Sequence, residues 1–129
     1  MHIFVTGASG FVGGAATKAL VAKGHLVSAM SRSESSDRKI QALGGAPVRC
    51  DLGDVTAAHI AGADVVLHCA AFVEQWGPPN AWKRFNILGT NRMLGAAAAG
   101  RSVKRFIHIS TESVLLRGQH LRGVDETYP

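Results

Sequence analysis

The chain has 129 residues, 47% of them apolar, and a formal charge of +5, which allows one globular domain at most. No apolar run approaches the ~18 residues that a membrane-spanning helix requires, and no charged N-terminal stretch leads into a long apolar one as in a secretory signal. The reading is a cytoplasmic protein without a membrane partner, whose two cysteines, Cys50 and Cys69, fit small buried hydrophobes better than a disulfide framework or a metal centre.

In chain order, the apolar run Ile3-Phe4-Val5 predicts a buried strand over His2–Val5. It leads straight into Thr6-Gly7-Ala8-Ser9-Gly10-Phe11-Val12-Gly13, with glycines at spacings of three and three. Glycines placed where a strand turns into a helix let bare backbone N–H groups approach a pyrophosphate, and the helix points its positive end at the same place. A helix is predicted over Phe11–Lys23, with Ala15, Ala16, Ala19, Leu20 and Val21 as its apolar face and Gly24-His25 ending it. A second strand over Leu26–Met30 completes a β-α-β unit of the size a dinucleotide fingerprint needs. Further strands are predicted at Pro47–Cys50, Asp64–Cys69 and Arg105–Ser110. Helices are expected at Ser36–Leu43 and Pro79–Ala99, with a short turn near Val55–Ala61. Pro78 and Pro79 start the last helix and Gly100 caps it. Apolar strands alternating with helices imply a parallel sheet covered on both faces, and right-handed crossovers leave the doubly wound order 3-2-1-4-5. The polar or Gly- and Pro-rich loops Ser31–Ser36 and Val73–Pro79 are the natural binding loops.

Acids and bases cancel between Met1 and Pro79, so the excess positive charge lies in Asn80–Pro129. These bases are scattered over several elements without interleaved aromatics, which reads as a solvated face rather than a nucleic-acid surface.

Several short segments in this order resemble the extended short-chain dehydrogenase/reductases, the NAD(P)-dependent epimerase/dehydratase group. They are Thr6–Gly13, Cys50-Asp51-Leu52, His68-Cys69-Ala70-Ala71, Asn86–Thr90 and Phe106–Thr111. Trp76-Gly77 and the tail Asp125-Glu126-Thr-Tyr-Pro129 are most similar to the 3β-hydroxysteroid dehydrogenase branch. The resemblance implies a Rossmann fold and a cofactor-binding set of Thr6, Gly7, Ser9, Gly10, Phe11, Val12, Gly13, Ser31, Arg32, Asp51, Leu52, Ala70, Ala71 and Ser110. In it the glycines form the pyrophosphate turn, Phe11 and Val12 offer N–H groups, Asp51 and Leu52 border the adenine, and Ala70 and Ala71 line the ribose. His68 reads as a satisfied core histidine, and Asn86 as a residue holding backbone or water near the site.

The residues also bear on the choice of nicotinamide. Where the fingerprint expects an acid at the end of the second strand, the chain has Ser31-Arg32-Ser33. A guanidinium beside two hydroxyls suits a 2′-phosphate, so NADP(H) is favoured. NAD(H), with Glu34 supplying the acid after a small shift, is the alternative.

The family's chemistry is hydride transfer at a carbonyl or alcohol carbon. It uses a Ser or Thr past the fifth strand, a Tyr and a Lys four residues after it, the Tyr brought down from its ordinary pKa of ~10. Thr111 best matches the hydroxyl position, with Ser113 as fallback; the alternative for Ser110-Thr111 is a strand end whose hydroxyls satisfy loop backbone. The only tyrosine, Tyr128, has no Lys after it. The expectation is therefore the cofactor-binding part of a longer NADP-dependent oxidoreductase, a single incomplete domain over 1–129 that lacks the substrate-binding part and by itself does not turn over substrate. Family dimers, built on the fourth helix, imply a homodimer. An epimerase or dehydratase of the same family and a non-catalytic nucleotide sensor stay open beside it.

Overall fold

The computed structural model describes every residue except Gln75, Glu126 and Pro129; two positions of the acidic tail motif thus lie outside the described residues. Five parallel strands, β1 (His2–Thr6), β2 (Leu26–Ser31), β3 (Ala46–Arg49), β4 (Val65–His68) and β5 (Arg105–His108), form one sheet in the order β3-β2-β1-β4-β5. This is the predicted doubly wound order. The register brings Phe4 beside Ser28 on one side and Val66 on the other, so β1 lies at the centre.

Residues of one strand alternate between faces, and β1 divides the core accordingly. Phe4 points into a cluster with Val66, Met93, Ala96, Ala97 and Ile60, beneath the helix α4 (Gly89–Ala99). Ile3 and Val5 point the other way, to Val27, Ala29 and Ile40, beneath α1 (Phe11–Ala22) and α2 (Glu34–Ala42). Both faces are covered, which is why the central strands are apolar throughout.

α1 rests on the sheet only in part through the predicted face. Gly13, Gly14 and Thr17 are its buried residues; of the predicted face, Leu20 and Val21 pack half-buried against the core, while Ala15 and Ala19 are exposed. The cause is proximity. A Cβ at Gly14 would stand 3.2 Å from the carbonyl oxygen of Ala8, so the bare backbone of the first turn, not an alanine stripe, makes the contact. Gly24, at φ +77°, closes α1 as expected.

The predicted helix over Pro79–Ala99 is a composite. It comprises α3 (Pro79–Trp82), a π-helical stretch over Lys83–Leu88, and α4. Gly89 sits where the stretch meets α4; a Cβ there would stand 2.9 Å from Cβ of Leu52. Gly100 caps α4 as expected, its N–H donating to the Ala96 carbonyl at 3.0 Å, and the left-handed residue is Arg101 (φ 51°), one position further on. β5 stops at His108, two residues short of the predicted Ser110, because the chain turns there toward a 3₁₀ turn over Glu112–Leu115.

Candidate dinucleotide site

The C-terminal ends of the parallel strands open onto a cleft of about 690 Å³. In open α/β sheets ligands bind there, where the strand order reverses, and here the reversal falls between β1 and β4. The turn from β1 to α1 forms the floor. Gly7 is left-handed (φ +71°), and a Cβ on it would press on the backbone of Cys69 and Ala70 at 3.0 Å. At Gly13 a Cβ would stand 2.6 Å from the carbonyl carbon of Gly7. Only glycine meets either condition, so the turn winds tighter than side chains permit.

That winding exposes donors. Gly10 precedes α1 with no side-chain cap, and no acid stands in the first turn. The N–H groups of Gly10 and Gly14 bond inward, to the carbonyls of Gly7 at 3.0 Å and Gly10 at 2.9 Å. Those of Phe11, Val12 and Gly13 are the orphan donors of the helix start, and all three residues line the cleft. Aligned peptide dipoles add roughly half a positive charge there. An anion with several acceptor oxygens fits this cradle, and a pyrophosphate has them.

The walls follow from the neighbouring strands. Ser9, Met30, Arg32 and Ser36 line one side, and Asp51 and Leu52 stand at one end. One oxygen of Asp51 is held by the N–H of Gly53, which fixes the carboxylate at the turn. Cys69, Ala70 and Ala71, the small residues after β4, form the opposite wall. Burial raises the Cys69 thiol above its usual range, so it lines the wall as a neutral group. Burial and the nearby carboxylates of Asp54 and Asp51 likewise push Cys50 to about 11.

Thr6 is fully buried and lies behind this wall. Its hydroxyl oxygen accepts from the N–H groups of Cys69 at 3.1 Å and Ala70 at 3.0 Å. With its lone pairs engaged, its proton is donated to Nδ1 of His68, 2.8 Å away. The imidazole must then carry its hydrogen on Nε2, which donates to Oγ1 of Thr90 at 3.0 Å. Burial, with the neighbouring His108, holds His68 down at about 4, so the ring is neutral at pH 7. His68 is thus a satisfied core histidine joining β1, β4 and α4.

Asn86 holds backbone, as expected. From the π-helical stretch its Oδ1 accepts from the N–H of Phe72 at 2.7 Å and its Nδ2 donates to the carbonyl of Phe72 at 3.0 Å. Phe72 also meets Trp82 edge-on at 4.9 Å between centroids and stacks on Phe85 at 6.0 Å. The segment after Ala71 is thereby pinned at both backbone and ring. Ser36 comes from the loop expected to bind, whereas sequence reasoning missed Phe72 and Phe85 as cleft residues; an aromatic just after Ala70-Ala71 and another just before Asn86 were the available signals.

Of the sequence-predicted residues, Gly7, Ser9, Gly10, Phe11, Val12, Gly13, Arg32, Asp51, Leu52, Ala70 and Ala71 are brought together around the cleft. Four are not. Thr6 acts from behind the wall. Ser31 is buried and its hydroxyl donates to the carbonyl of Ser33 at 3.1 Å. Ser110 and Thr111 are exposed and stand apart from the cleft lining. The Thr111 oxygen accepts from the Ser113 N–H at 3.3 Å and caps the 3₁₀ turn, with the Glu112 carboxylate 3.0 Å away to take its proton. In this structure Thr111 plays the loop-satisfying part that was the alternative to catalysis. Glu34, the acid of the NAD alternative, also stands outside the cleft lining, facing Arg38 at 3.8 Å.

A parallel sheet in this order, with a glycine cradle at its switch point, defines a dinucleotide-binding α/β protein. Residues 3–128 match the NAD dependent epimerase/dehydratase family, and the chain belongs to that family. It is 41% identical, over its whole length, to 39% of the 4-hydroxy-2-methyl-3-oxo-4-farnesyl-3,4-dihydroquinoline-1-oxide ketoreductase of Stigmatella aurantiaca. It is 34% identical over 99% of its length to 40% of the sterol-4-alpha-carboxylate 3-dehydrogenase of Dictyostelium discoideum. Among solved structures, a short-chain dehydrogenase/reductase superfamily protein from Agrobacterium tumefaciens with bound NAD matches the whole chain and 38% of its own, at a TM-score of 0.81 and 32% identity. The chain thus spans about 40% of the curated relatives' length. Those relatives include reductases, dehydrogenases and, among the structures, epimerases.

Proposed function

We propose that this chain is the NADP(H)-binding part of an oxidoreductase that moves hydride between nicotinamide and a ketone or secondary alcohol. The observation that carries the cofactor reading is the cradle: three N–H groups at a helix start, without partners among the described residues and kept bare by glycines whose Cβ atoms would not fit. The pyrophosphate would lie on Phe11, Val12 and Gly13, the adenine against Asp51 and Leu52, and the ribose past Ala70 and Ala71. When bound, the nicotinamide supplies the hydride; the residues of this chain hold it and exclude water.

Arg32 supports NADP(H) over NAD(H). It lines the cleft, has no carboxylate partner among the described residues, and stands beside Ser33 and Ser36. Bound NAD in the Agrobacterium structure is the observation that favours the NAD(H) reading. Thr111 remains the proposed hydroxyl for the substrate oxygen because β5 ends at the same edge of the sheet as the cleft; it would have to exchange its bond to Glu112 for the substrate. The carbonyl substrate class rests on the ketoreductase and dehydrogenase relatives, and a homodimer and a cytoplasmic setting belong to the same reading.

Calorimetric titration of the chain with NADPH and with NADH tests this. Saturable NADPH binding, with NADH clearly weaker, is expected. Equal or stronger NADH binding moves the assignment to NAD(H). Absence of binding to a chain shown to be folded by circular dichroism overturns the dinucleotide reading.

A further inference from the structure

A second concavity, of about 300 Å³, is lined by Gly53, Arg84, Phe85, Leu88 and Arg92. Phe85 lines both this notch and the main cleft and so stands between them. Arg84 and Arg92 are eight residues apart, roughly 2.2 turns of an α-helix, a spacing that would leave them out of phase. The wider turn of the π-helical stretch Lys83–Leu88 takes up the surplus, and both arginines reach one notch.

Each guanidinium is held. Nη1 of Arg92 donates to the carbonyl of Leu52 at 2.9 Å, and the guanidinium carbon of Arg84 lies 5.4 Å from the centroid of the Phe85 ring. Neither has a carboxylate partner among the described residues, whereas Arg38, Arg49 and Lys104 pair with Glu34, Asp37 and Asp64. Of the acids nearest in sequence to Gly53, Asp51 accepts from the Gly53 N–H and Asp54 from the Asp51 N–H at 2.7 Å, each through one oxygen, and neither lines the notch.

We propose that this notch is an anion subsite for a phosphate group, separate from the phosphates of the dinucleotide. Two guanidinium forks around one notch match the several oxygens of a phosphate, whereas one fork already satisfies a carboxylate. Its position beyond the Asp51-Leu52 turn places the occupant outside the main cleft, as free phosphate or as a phosphomonoester on a second small molecule. The proposal goes beyond the dinucleotide reading and stands on the notch alone.

The test is a titration of the chain with inorganic phosphate at constant ionic strength, followed by two-dimensional ¹H–¹⁵N NMR, without and then with excess NADPH. Saturable shifts are expected at the amides of Gly53 and Phe85 and at the side-chain Nε–H of Arg92. In R84Q, which removes no hydrogen bond of the fold, phosphate affinity should fall about tenfold or more, while R32Q leaves it unchanged. Lack of saturation at these resonances, or equal affinity in R84Q, overturns the subsite. Loss of these shifts on adding NADPH assigns the notch to the dinucleotide and overturns its independence. Failure of NADPH to bind counts against the dinucleotide reading and leaves the phosphate response readable.

Discussion

At Arg32, one side chain carries the choice between two cofactors. A charge-assisted hydrogen bond to a phosphate is worth about 1.5–3 kcal/mol, so Arg32→Gln should weaken NADPH binding roughly 10- to 100-fold and leave NADH nearly unchanged, as read by calorimetry. His68 makes a different prediction. Its pKa falls from 6.5 in the unfolded chain to about 4 in the fold, so between those values the unfolded chain binds more protons. Stability is therefore full above the unfolded value and is lost as pH falls toward the folded one, by on the order of 3 kcal/mol. Urea midpoints at pH 7 and pH 4.5 measure this, and His68→Gln should flatten the difference. Gly13→Ala should cost at least about 1–3 kcal/mol by overpacking and abolish cofactor binding; an alanine variant with wild-type affinity would refute the steric account of the cradle. The glycines, Arg32 and Asp51 were legible in the sequence because sterics and charge act through residue type. The part that Thr111 plays cannot be read from residue type, since a hydroxyl that caps a turn and one that meets a substrate have the same letter.

Among the elements, the strands and the first two helices were legible because apolar runs and glycine ends are local signals. The face of α1 was legible only at its C-terminal end, where Leu20 and Val21 pack on the core. A first turn that buries Gly13 and Gly14 shows no apolar stripe to a reading based on side chains. The π-helical stretch was not legible, because six residues are too few for a wider turn to leave a distinct period. Its consequence is Asn86, whose paired bonds to Phe72 depend on that geometry. Asn86→Ala leaves both backbone groups of Phe72 without their partner and should cost about 1–3 kcal/mol. Hydrogen exchange should locate the effect, faster at the amide of Phe72 while the amides of β1 keep their protection.

Across the molecule, the two edges of the sheet differ. β3 is a short edge strand containing Pro47 and ending in Arg49, which pairs with Asp37, and proline and charge are ways of blunting an edge. β5 forms the other edge and is mostly exposed, with Ile107 and, just beyond the strand, Ile109 each more than two-fifths accessible. An apolar edge invites pairing with another chain, so concentration-dependent self-association is expected in sedimentation velocity. Ile107→Lys should reduce it, and a monodisperse wild-type monomer at high concentration would contradict this.

The π-helical stretch also bears on how the helix could change over evolutionary time. Each i→i+5 turn stores one residue more than the α turn that spans the same length. Deleting a single residue between Lys83 and Leu88 would let the helix relax to a uniform α pitch without shortening it appreciably. Because the wider turn already takes up the extra residue, the deletion would leave the flanking segments in phase, with Arg84 and Arg92 then seven residues apart and about 20° from one line along the helix. The stretch can thus gain or lose one residue while the arginine pair stays on one face, and a homologue one residue shorter here should keep both arginines at the notch.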